Sequence, residues 1–483
     1  MKLFGGTVIN TGFMFSASIV RSLSAFVLIM YAARVLGVTG FGEFSFVLSF
    51  FAIFLAFSRL GLQSLVTREV AKDRSKAGKY LINASFLGFL ASLVMIAAMS
   101  LIITAAKYSV EIRMAVYILS VSLIATTTNY VFESIFIAFK RVRYIFYSTI
   151  ILNLFKLSLC MILLFKGYGI VSLAAVISAA PFVNLVFNLW LFQRYIEKLK
   201  FQIDTALFKW IARLAPTFSG IAIFHSLDSN AIVILLSKLK GTEEIAYYTV
   251  AFKIVLIVNL ALQSYRSGIQ PVMAKLFETS QKKFRDFSVK ALRYVYILTI
   301  PLALGTTILA DKIVILLFTD DFLVSANVLR ILVWTLIPYG TTVVLSCSII
   351  ASNNQRIDLR AIMVSMITNI LLSLLLIQRF SYLGAASAFL ISRCIAAGFR
   401  YFFISRELYA IGIIKDLGKI ILSALLMGFF VLVFDQINVF VLTVLAILIY
   451  ACSLLLVNLR TVFGYLKQNK TFFKLLTESH LGK

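Results

Sequence analysis

The feature of the sequence that most limits its fold is a series of apolar stretches, each long enough to cross a bilayer. Fourteen of them follow one another between clusters of charged residues, from residue 8 to residue 459. A crossing helix needs about 20 mainly apolar residues, and a backbone in hydrocarbon must satisfy its own hydrogen bonds. The stretches are also too long and unbroken for barrel strands. The sequence therefore predicts an all-α polytopic membrane protein. The predicted spans are 8–33, 42–65, 80–106, 114–139, 145–165, 168–192, 210–237, 244–272, 288–310, 322–350, 359–378, 383–405, 418–434 and 439–459.

The basic residues predict the orientation of these spans. Only 14% of the 483 residues are charged, yet the net charge is +26. Most of the 46 Lys and Arg residues lie at the two termini and in the loops that follow even-numbered spans. Because positively charged loops stay in the cytoplasm, both termini are predicted to be cytoplasmic. Many short basic loops facing anionic lipid account for the excess charge, so nucleic acid is not predicted as a partner.

Sequence signals for catalysis, metal binding and ATP use are missing. There is no Walker-type phosphate loop, and the four cysteines fall in apolar stretches without metal-ligand or redox spacing. We therefore predict no catalytic residue, no metal, no cofactor and no direct use of ATP. The outer loops are too short for the catalytic loop expected of a polysaccharide polymerase. A membrane-embedded glycan polymerase remains the alternative from the enzyme class.

Two pairs of similar segments predict an internal repeat. Residues 36–46 after span 1 correspond to 239–248 after span 7, and residues 153–178 correspond to 369–392. Both offsets equal six spans, and an even number of spans preserves orientation. The two halves are therefore predicted to be parallel repeats about an axis along the membrane normal, with a substrate site between them. The predicted domains are an N-terminal lobe at 1–200, a C-terminal lobe at 201–410, and spans 13 and 14 with a cytoplasmic tail at 411–483.

Several short motifs, in order along the chain, resemble one family. They are ARVLG at 33–37, FGEF at 41–44, LGL at 60–62, TRE at 67–69, NILL at 369–372 and LGAA at 383–386. With its length and span count, the sequence resembles the polysaccharide-transport, or Wzx-type, oligosaccharide flippases of the multidrug/oligosaccharidyl-lipid/polysaccharide (MOP) exporter superfamily. It departs from the usual pattern at Ser373 and Gln378, where Asn and Pro are common.

The resemblance implies the MOP exporter fold and the bacterial inner membrane. It also implies alternating-access transfer of undecaprenyl-diphosphate-linked oligosaccharide, such as an O-antigen repeat unit, from the cytoplasmic to the periplasmic leaflet. The implied partners are the lipid-linked oligosaccharide, membrane lipids, a polysaccharide polymerase and a chain-length regulator. An ion-coupled drug or metabolite antiporter of the same fold and a flippase for the peptidoglycan precursor remain as alternatives.

Basic side chains deep within the predicted spans are the candidate substrate-binding residues. Such a charge costs about 2.5–3.5 kcal/mol at the centre of a helix unless it faces water or a partner. Arg59 and Arg330 lie near span ends, so we expect them to extend to the membrane surface. Five others are too deep to do so and are expected to line a wet cavity, where cations bind diphosphate oxygens. These five are Arg21, Lys156, Lys253, Arg266 and Arg393.

A polar stripe on span 8 predicts part of the wall of that cavity. Asn259, Gln263, Arg266 and Gln270 are spaced by 4, 3 and 4 residues, which places them on one face of a helix. We interpret them as substrate-binding residues. The alternative is that they hydrogen-bond neighbouring helices.

Acidic residues and a histidine at membrane depth are candidates for coupling and gating. Asp228 and Lys253 lie at similar depth on consecutive spans, and we expect them to form an ion pair. The pair either neutralises two buried charges or makes Asp228 a protonatable switch between conformations. His225, one helical turn earlier, and Glu133 on span 4 are predicted to share that role.

Overall fold

The protein is a bundle of α-helices. A computed structural model describes residues 2–199, 201–412 and 414–457, and within these ranges there are fifteen α-helices and no strand. The end of predicted span 14 and the predicted tail, from residue 458 onward, lie outside the described residues. The first seven helices are α1 (Lys2–Ser58), α2 (Leu62–Lys72), α3 (Ala77–Ala105), α4 (Val110–Ala138), α5 (Arg143–Phe165), α6 (Ile170–Tyr195) and α7 (Thr205–Leu239). The others are α8 (Thr242–Thr279), α9 (Gln281–Ile308), α10 (Ala310–Leu317), α11 (Ser325–Leu332), α12 (Leu336–Ala351), α13 (Gln355–Glu407), α14 (Ile414–Val433) and α15 (Val439–Val457).

The predicted all-α membrane fold is confirmed. Among the described residues, eleven helical segments are long and apolar enough to cross a membrane, and Leu417–Val433 is a shorter apolar helix. Helices α3 to α9 correspond to the seven spans predicted between residues 80 and 310, and their ends differ from the predicted ends by at most seven residues. The count of fourteen spans stays a prediction.

Two helices are much longer than one crossing and bend at a single residue. Helix α1 has 57 residues, or about 85 Å at the helical rise, against a hydrocarbon core of about 30 Å. It bends at Gly37, with φ 68° and ψ −175°, a region that only glycine enters easily. Helix α13 has 53 residues and bends at Ser381, with φ 50° and ψ −130°. Each bend lies where an outer turn between two spans was predicted.

The predicted end of span 2 at residue 65 is wrong, because α1 ends at Ser58. Leu60 and Gly61 then have positive φ values, which redirect the chain into the short helix α2. Helix α2 buries four apolar side chains, Leu62, Leu65, Val66 and Val70. Arg68 and Lys72 bind Glu69 on the other side of the helix. This amphipathic pattern is typical of a helix at the membrane surface.

The chain divides into two compact units. The first comprises Met1–Leu260, Val314–Val328 and Leu359–Ala396, and one of its apolar cores joins helices α2 to α7. Since lipid is as apolar as these side chains, close packing rather than exclusion of water holds such helices together.

The second unit comprises Ala261–Ile313, Leu329–Asp358 and Ala397–Lys483. It contains one apolar cluster around Phe284 on α9 and another in which Ile300 of α9 packs with α14 and α15. The predicted division into lobes at residues 200 and 410 stays a prediction.

Candidate functional site

Two of the five predicted deep cations line one cavity in the first unit. The cavity has a volume of about 160 Å³, and its lining includes Arg21 and Ser22 of α1 and Lys253 of α8. The rest of the lining is apolar, with Phe26 and Leu256 among its members. Because walls of this kind screen charge weakly, two cations there attract an anion more strongly than they would in water.

The positive charges around this cavity exceed the negative ones. Arg21 Nη2 lies 3.5 Å from Glu133 Oε1 on α4, and 47% of the Arg21 side chain is exposed. Lys156 on α5 is half-buried and interacts electrostatically with Arg21. Lys253 has no charged partner among the described residues. Three cations, Arg21, Lys156 and Lys253, therefore lie in or near the cavity, and Glu133 contacts one of them, Arg21.

Arg59 contacts Tyr130 on α4, and its extension to the membrane surface stays a prediction. Its Nη2 donates to the Tyr130 hydroxyl, and its guanidinium lies 3.6 Å from the centroid of the Tyr130 ring. Tyr130 and Glu133 are three residues apart on α4, which puts them on one face of that helix. Arg59 consequently lies beside the carboxylate that Arg21 also contacts.

The predicted ion pair between Asp228 and Lys253 is wrong, because Asp228 binds Arg393. Arg393 Nη2 lies 2.8 Å from Asp228 Oδ2, and only 1% of the Asp228 side chain is exposed. Asn369 Nδ2 donates to Asp228 Oδ1 at 3.1 Å and to the Asp228 carbonyl oxygen at 2.9 Å. Similar depth on neighbouring helices was not enough to predict the partner, since Asp228 faces α13 and not Lys253.

Arg393 therefore belongs to a buried ionic cluster and does not line the cavity of Arg21 and Lys253. Its guanidinium also lies 4.4 Å from the centroid of the Phe389 ring. His225 is exposed on α7, one turn before Asp228. The coupling roles of His225 and Asp228 stay predictions.

Arg266 belongs to a hydrogen-bonded chain in the second unit. Arg266 Nη2 donates to Ser346 Oγ at 3.4 Å, and Ser346 Oγ donates to Asp358 Oδ2 at 2.8 Å. Arg400 Nε donates to Asp358 Oδ1 at 2.8 Å, and only 3% of the Arg400 side chain is exposed. These hydrogen bonds hold the Arg266 side chain against α12.

Sequence reasoning missed Asp358 and Arg400. Asp358 immediately precedes predicted span 11, and Arg400 lies five residues before the end of predicted span 12. Consecutive spans run in opposite directions, so these two positions lie near the same membrane face. Their opposite charges at matching depth were the signal in the sequence that could have predicted this ion pair.

The remaining residues of the predicted stripe on α8 differ in exposure. Asn259 is half-buried, and its Oδ1 is buried without a hydrogen-bond donor in the described part of the chain. Gln263 is exposed and Gln270 is half-buried. Their roles in substrate binding stay predictions.

A larger cavity in the second unit has no charged lining. Its volume is about 380 Å³, and its walls include Tyr296, Trp334, Leu417 and Ile421. A diphosphate entering it would lose hydration without gaining a charged partner. The smaller cavity with its two cations is therefore the candidate anion site.

The long apolar helices define a multi-pass membrane protein. A family model described as "Polysaccharide biosynthesis protein" matches residues 8–277, and one described as "Lipid II flippase MurJ" matches residues 196–451. The chain belongs to the polysaccharide biosynthesis protein family and, with it, to the MOP superfamily of transporters. It is a flippase-type transporter and not an enzyme.

Two curated relatives come from an archaeon and a bacterium. The chain is 23% identical over 378 residues to the "Probable low-salt glycan biosynthesis flippase Agl15" of Haloferax volcanii, covering 78% of each chain. It is 22% identical over 402 residues to the "Capsular polysaccharide biosynthesis protein CapF" of Staphylococcus aureus, covering 82% of this chain and 99% of the relative.

Solved structures share the fold. "Lipid II flippase MurJ, inward closed conformation" superposes with a TM-score of 0.78 at 17% identity, covering 93% of this chain and 99% of that one. An inward-facing multidrug resistance MATE family transporter superposes with a TM-score of 0.68 at 14% identity, covering 83% of this chain and 98% of that one. At such low identity these similarities establish the MOP fold.

Proposed function

We propose that the chain moves an undecaprenyl-diphosphate-linked oligosaccharide from the cytoplasmic to the periplasmic leaflet by alternating access, with Arg21 and Lys253 holding the diphosphate. The carried glycan is an O-antigen or a similar surface-polysaccharide repeat unit. The observation that carries the proposal is the pair of cations in one cavity, with Glu133 as the nearby carboxylate. The relatives named for glycan and capsular polysaccharide biosynthesis support the same class of substrate.

The charge and size of the cavity both suit a diphosphate. A diphosphate in a weakly polar environment needs cations to replace its lost hydration, and Arg can bind its oxygens through two parallel hydrogen bonds. The volume of about 160 Å³ is below the roughly 300–1,000 Å³ typical of sites for drug-sized ligands. The cavity therefore matches a headgroup, and the sugars require a wider conformation of the protein.

The apolar cavity of the second unit supports a lipid substrate. Its walls, including Tyr296, Trp334, Leu417 and Ile421, are almost entirely apolar. An isoprenoid chain loses nothing by moving from lipid into such walls, because it has no polar group to leave unpaired.

The same proposal assigns the location of the protein, its partners and the roles of the other candidate residues. The protein lies in the bacterial inner membrane with both termini in the cytoplasm, uses no ATP directly, and works beside a polysaccharide polymerase and a chain-length regulator. Asp228, His225 and Glu133 act in coupling or gating. Further substrate contacts in other conformations come from Lys156, Arg266, Arg393, Asn259, Gln263 and Gln270.

A flippase for the peptidoglycan precursor is the second candidate. The match of residues 196–451 to the lipid II flippase family and the TM-score of 0.78 favour it. Both candidates carry a polyprenyl diphosphate, so the cationic cavity suits either. Rescue of cells depleted of their own peptidoglycan-precursor flippase would assign this second function. Export of cationic drugs is disfavoured, because Arg21 and Lys253 would repel them.

The proposal predicts a large loss of transport when either cation is removed. A hydrogen bond to a charged group contributes about 1.5–3 kcal/mol, which corresponds to roughly a 10- to 150-fold change in binding. We therefore expect Arg21→Ala and Lys253→Ala each to slow transfer of a fluorescent polyprenyl-diphosphate sugar at least tenfold. Transfer across proteoliposomes is measured by quenching of the dye from outside.

Arg406→Ala is the matched control, since it also removes one positive charge. Arg406 is 71% exposed near the end of α13 and pairs only with its neighbour Glu407, so transfer should remain at the parent rate. If Arg21→Ala and Lys253→Ala both reach the membrane in normal amounts and transport at the parent rate, the diphosphate site is not in this cavity.

A further inference from the structure

We infer that Glu133 is an exchangeable counter-ion, which leaves Arg21 for Arg59 when the substrate headgroup enters the cavity. The inference rests on the proposed function, because it assumes that Arg21 binds the headgroup. It adds Arg59 to the site as a positioning residue that acts through Glu133.

The contact between Arg21 and Glu133 is weak enough to be displaced. Its length of 3.5 Å exceeds the 2.7–2.9 Å typical of charge-assisted hydrogen bonds. Arg21 is also 47% exposed, whereas Glu133 is 14% exposed. An anion in the cavity can therefore reach the guanidinium from the open side while Glu133 holds it from the buried side.

Arg59 offers the released carboxylate a second binding position. Its Nη2 donates to the Tyr130 hydroxyl and its guanidinium carbon lies 3.6 Å from the centroid of the Tyr130 ring, which holds the guanidinium beside Glu133. Arg59 Nε is buried and has no hydrogen-bond partner in the described part of the chain. A buried N–H of a charged group without an acceptor is unfavourable. Glu133 interacts electrostatically with Arg59 and supplies that acceptor by rotating its side chain.

A diphosphate can offset the free energy that displacement of Glu133 costs. Any anion that binds Arg21 must compete with Glu133 for the guanidinium. A diphosphate has enough oxygens to bind Arg21 and also to reach Lys253 in the same cavity.

The first test compares binding of farnesyl diphosphate and farnesyl monophosphate to the full-length protein in nanodiscs by isothermal titration calorimetry. Glu133→Gln keeps the shape of the side chain but removes its charge. We expect it to tighten binding of both ligands at least about fivefold, because neither ligand then has to displace a carboxylate from Arg21. Glu111→Gln, which removes an exposed carboxylate in the first turn of the same helix, is the control and should leave both dissociation constants unchanged.

The second test separates a role through Glu133 from a structural role of Arg59. Arg59→Lys keeps the positive charge but removes the Nε–H donor and the planar stacking on Tyr130. We expect it to weaken binding of farnesyl diphosphate about fivefold in the parent and to have no effect in the Glu133→Gln background, as a coupled pair requires. Equal effects in both backgrounds would overturn the exchange.

The outcomes distinguish this inference from the proposed function. If Arg21→Ala abolishes farnesyl diphosphate binding while Glu133→Gln leaves the dissociation constants of both ligands unchanged, only the exchange is refuted. If Arg21→Ala leaves farnesyl diphosphate binding intact, the headgroup site itself is refuted.

Discussion

Asp228→Ala is expected to reduce the folded protein in the membrane severely. The substitution leaves the Arg393 guanidinium, only 17% exposed, without its carboxylate and leaves Asn369 Nδ2 without its side-chain acceptor. Removing one partner of a buried ion pair costs about 3–5 kcal/mol, a large part of the roughly 5–15 kcal/mol that stabilises a typical domain. Thermal unfolding of a fluorescent-protein fusion, followed by size-exclusion chromatography in detergent, measures the loss.

The double variant Asp228→Ala/Arg393→Ala is the companion experiment. Because it removes both charges, it should recover much of the stability that Asp228→Ala loses. If the recovered protein transports at the parent rate, the pair only neutralises two buried charges. If it is folded but inactive, the pair takes part in the transport cycle. A single Asp228→Ala variant as stable as the parent would contradict the buried pair itself.

Gly42→Val is expected to abolish transport by preventing one close contact. A Cβ added at Gly42 would overlap the backbone carbonyl of Thr242 at the start of α8. Beside this contact, the Thr39 hydroxyl donates to Glu243 Oε1 at 3.0 Å. These segments correspond in the internal repeat and form the predicted outer turns, so we interpret their contact as closure at the outer end of the first unit. Forcing a side chain into a packed contact costs about 1–3 kcal/mol, and the backbone of Thr242 cannot rotate away as a side chain could.

Chemical cross-linking measures that closure directly. The exposed cysteines Cys394 and Cys452 are first replaced by serine. Cysteines are then introduced at positions 39 and 243, and a short bis-maleimide should join them. We expect Gly42→Val to reduce the cross-linked fraction together with the transport rate. Gly12→Val is the control, because among the described residues no atom of another part of the chain lies within 4 Å of a Cβ at that position of the same helix. Equal cross-linking in the parent and in Gly42→Val would exclude a closure role for this contact.

The helices could be predicted from the sequence because each apolar stretch is a local signal. Helices α3 to α9 therefore follow the predicted spans closely. The bends at Gly37 and Ser381 were anticipated only as outer turns, since hydropathy records where polar residues fall and not how many residues leave the helix. The early end of α1 at Ser58 was missed because apolar residues continue into α2, where they pack inward.

The partners of the buried charges were harder to predict than their depth. Depth follows from the position of a residue along its span, whereas the partner depends on the direction in which the side chain points around the helix. This is why Asp228 was matched with Lys253 but contacts Arg393. The contact between Arg59 and Tyr130 was not predicted for a related reason, since the distance of Arg59 from the end of the span does not reveal the ring beside it.

The single-residue bend of α1 restricts where foreign sequence can be inserted. An epitope placed beside Gly37 would have to unwind helix on both sides, and it would displace the neighbouring contact between Gly42 and Thr242. The turn between α5 and α6 is a better position, because nothing lies within 4 Å of a Cβ at Gly167 or Gly169. Antibody labelling intended to report sidedness should therefore use that turn.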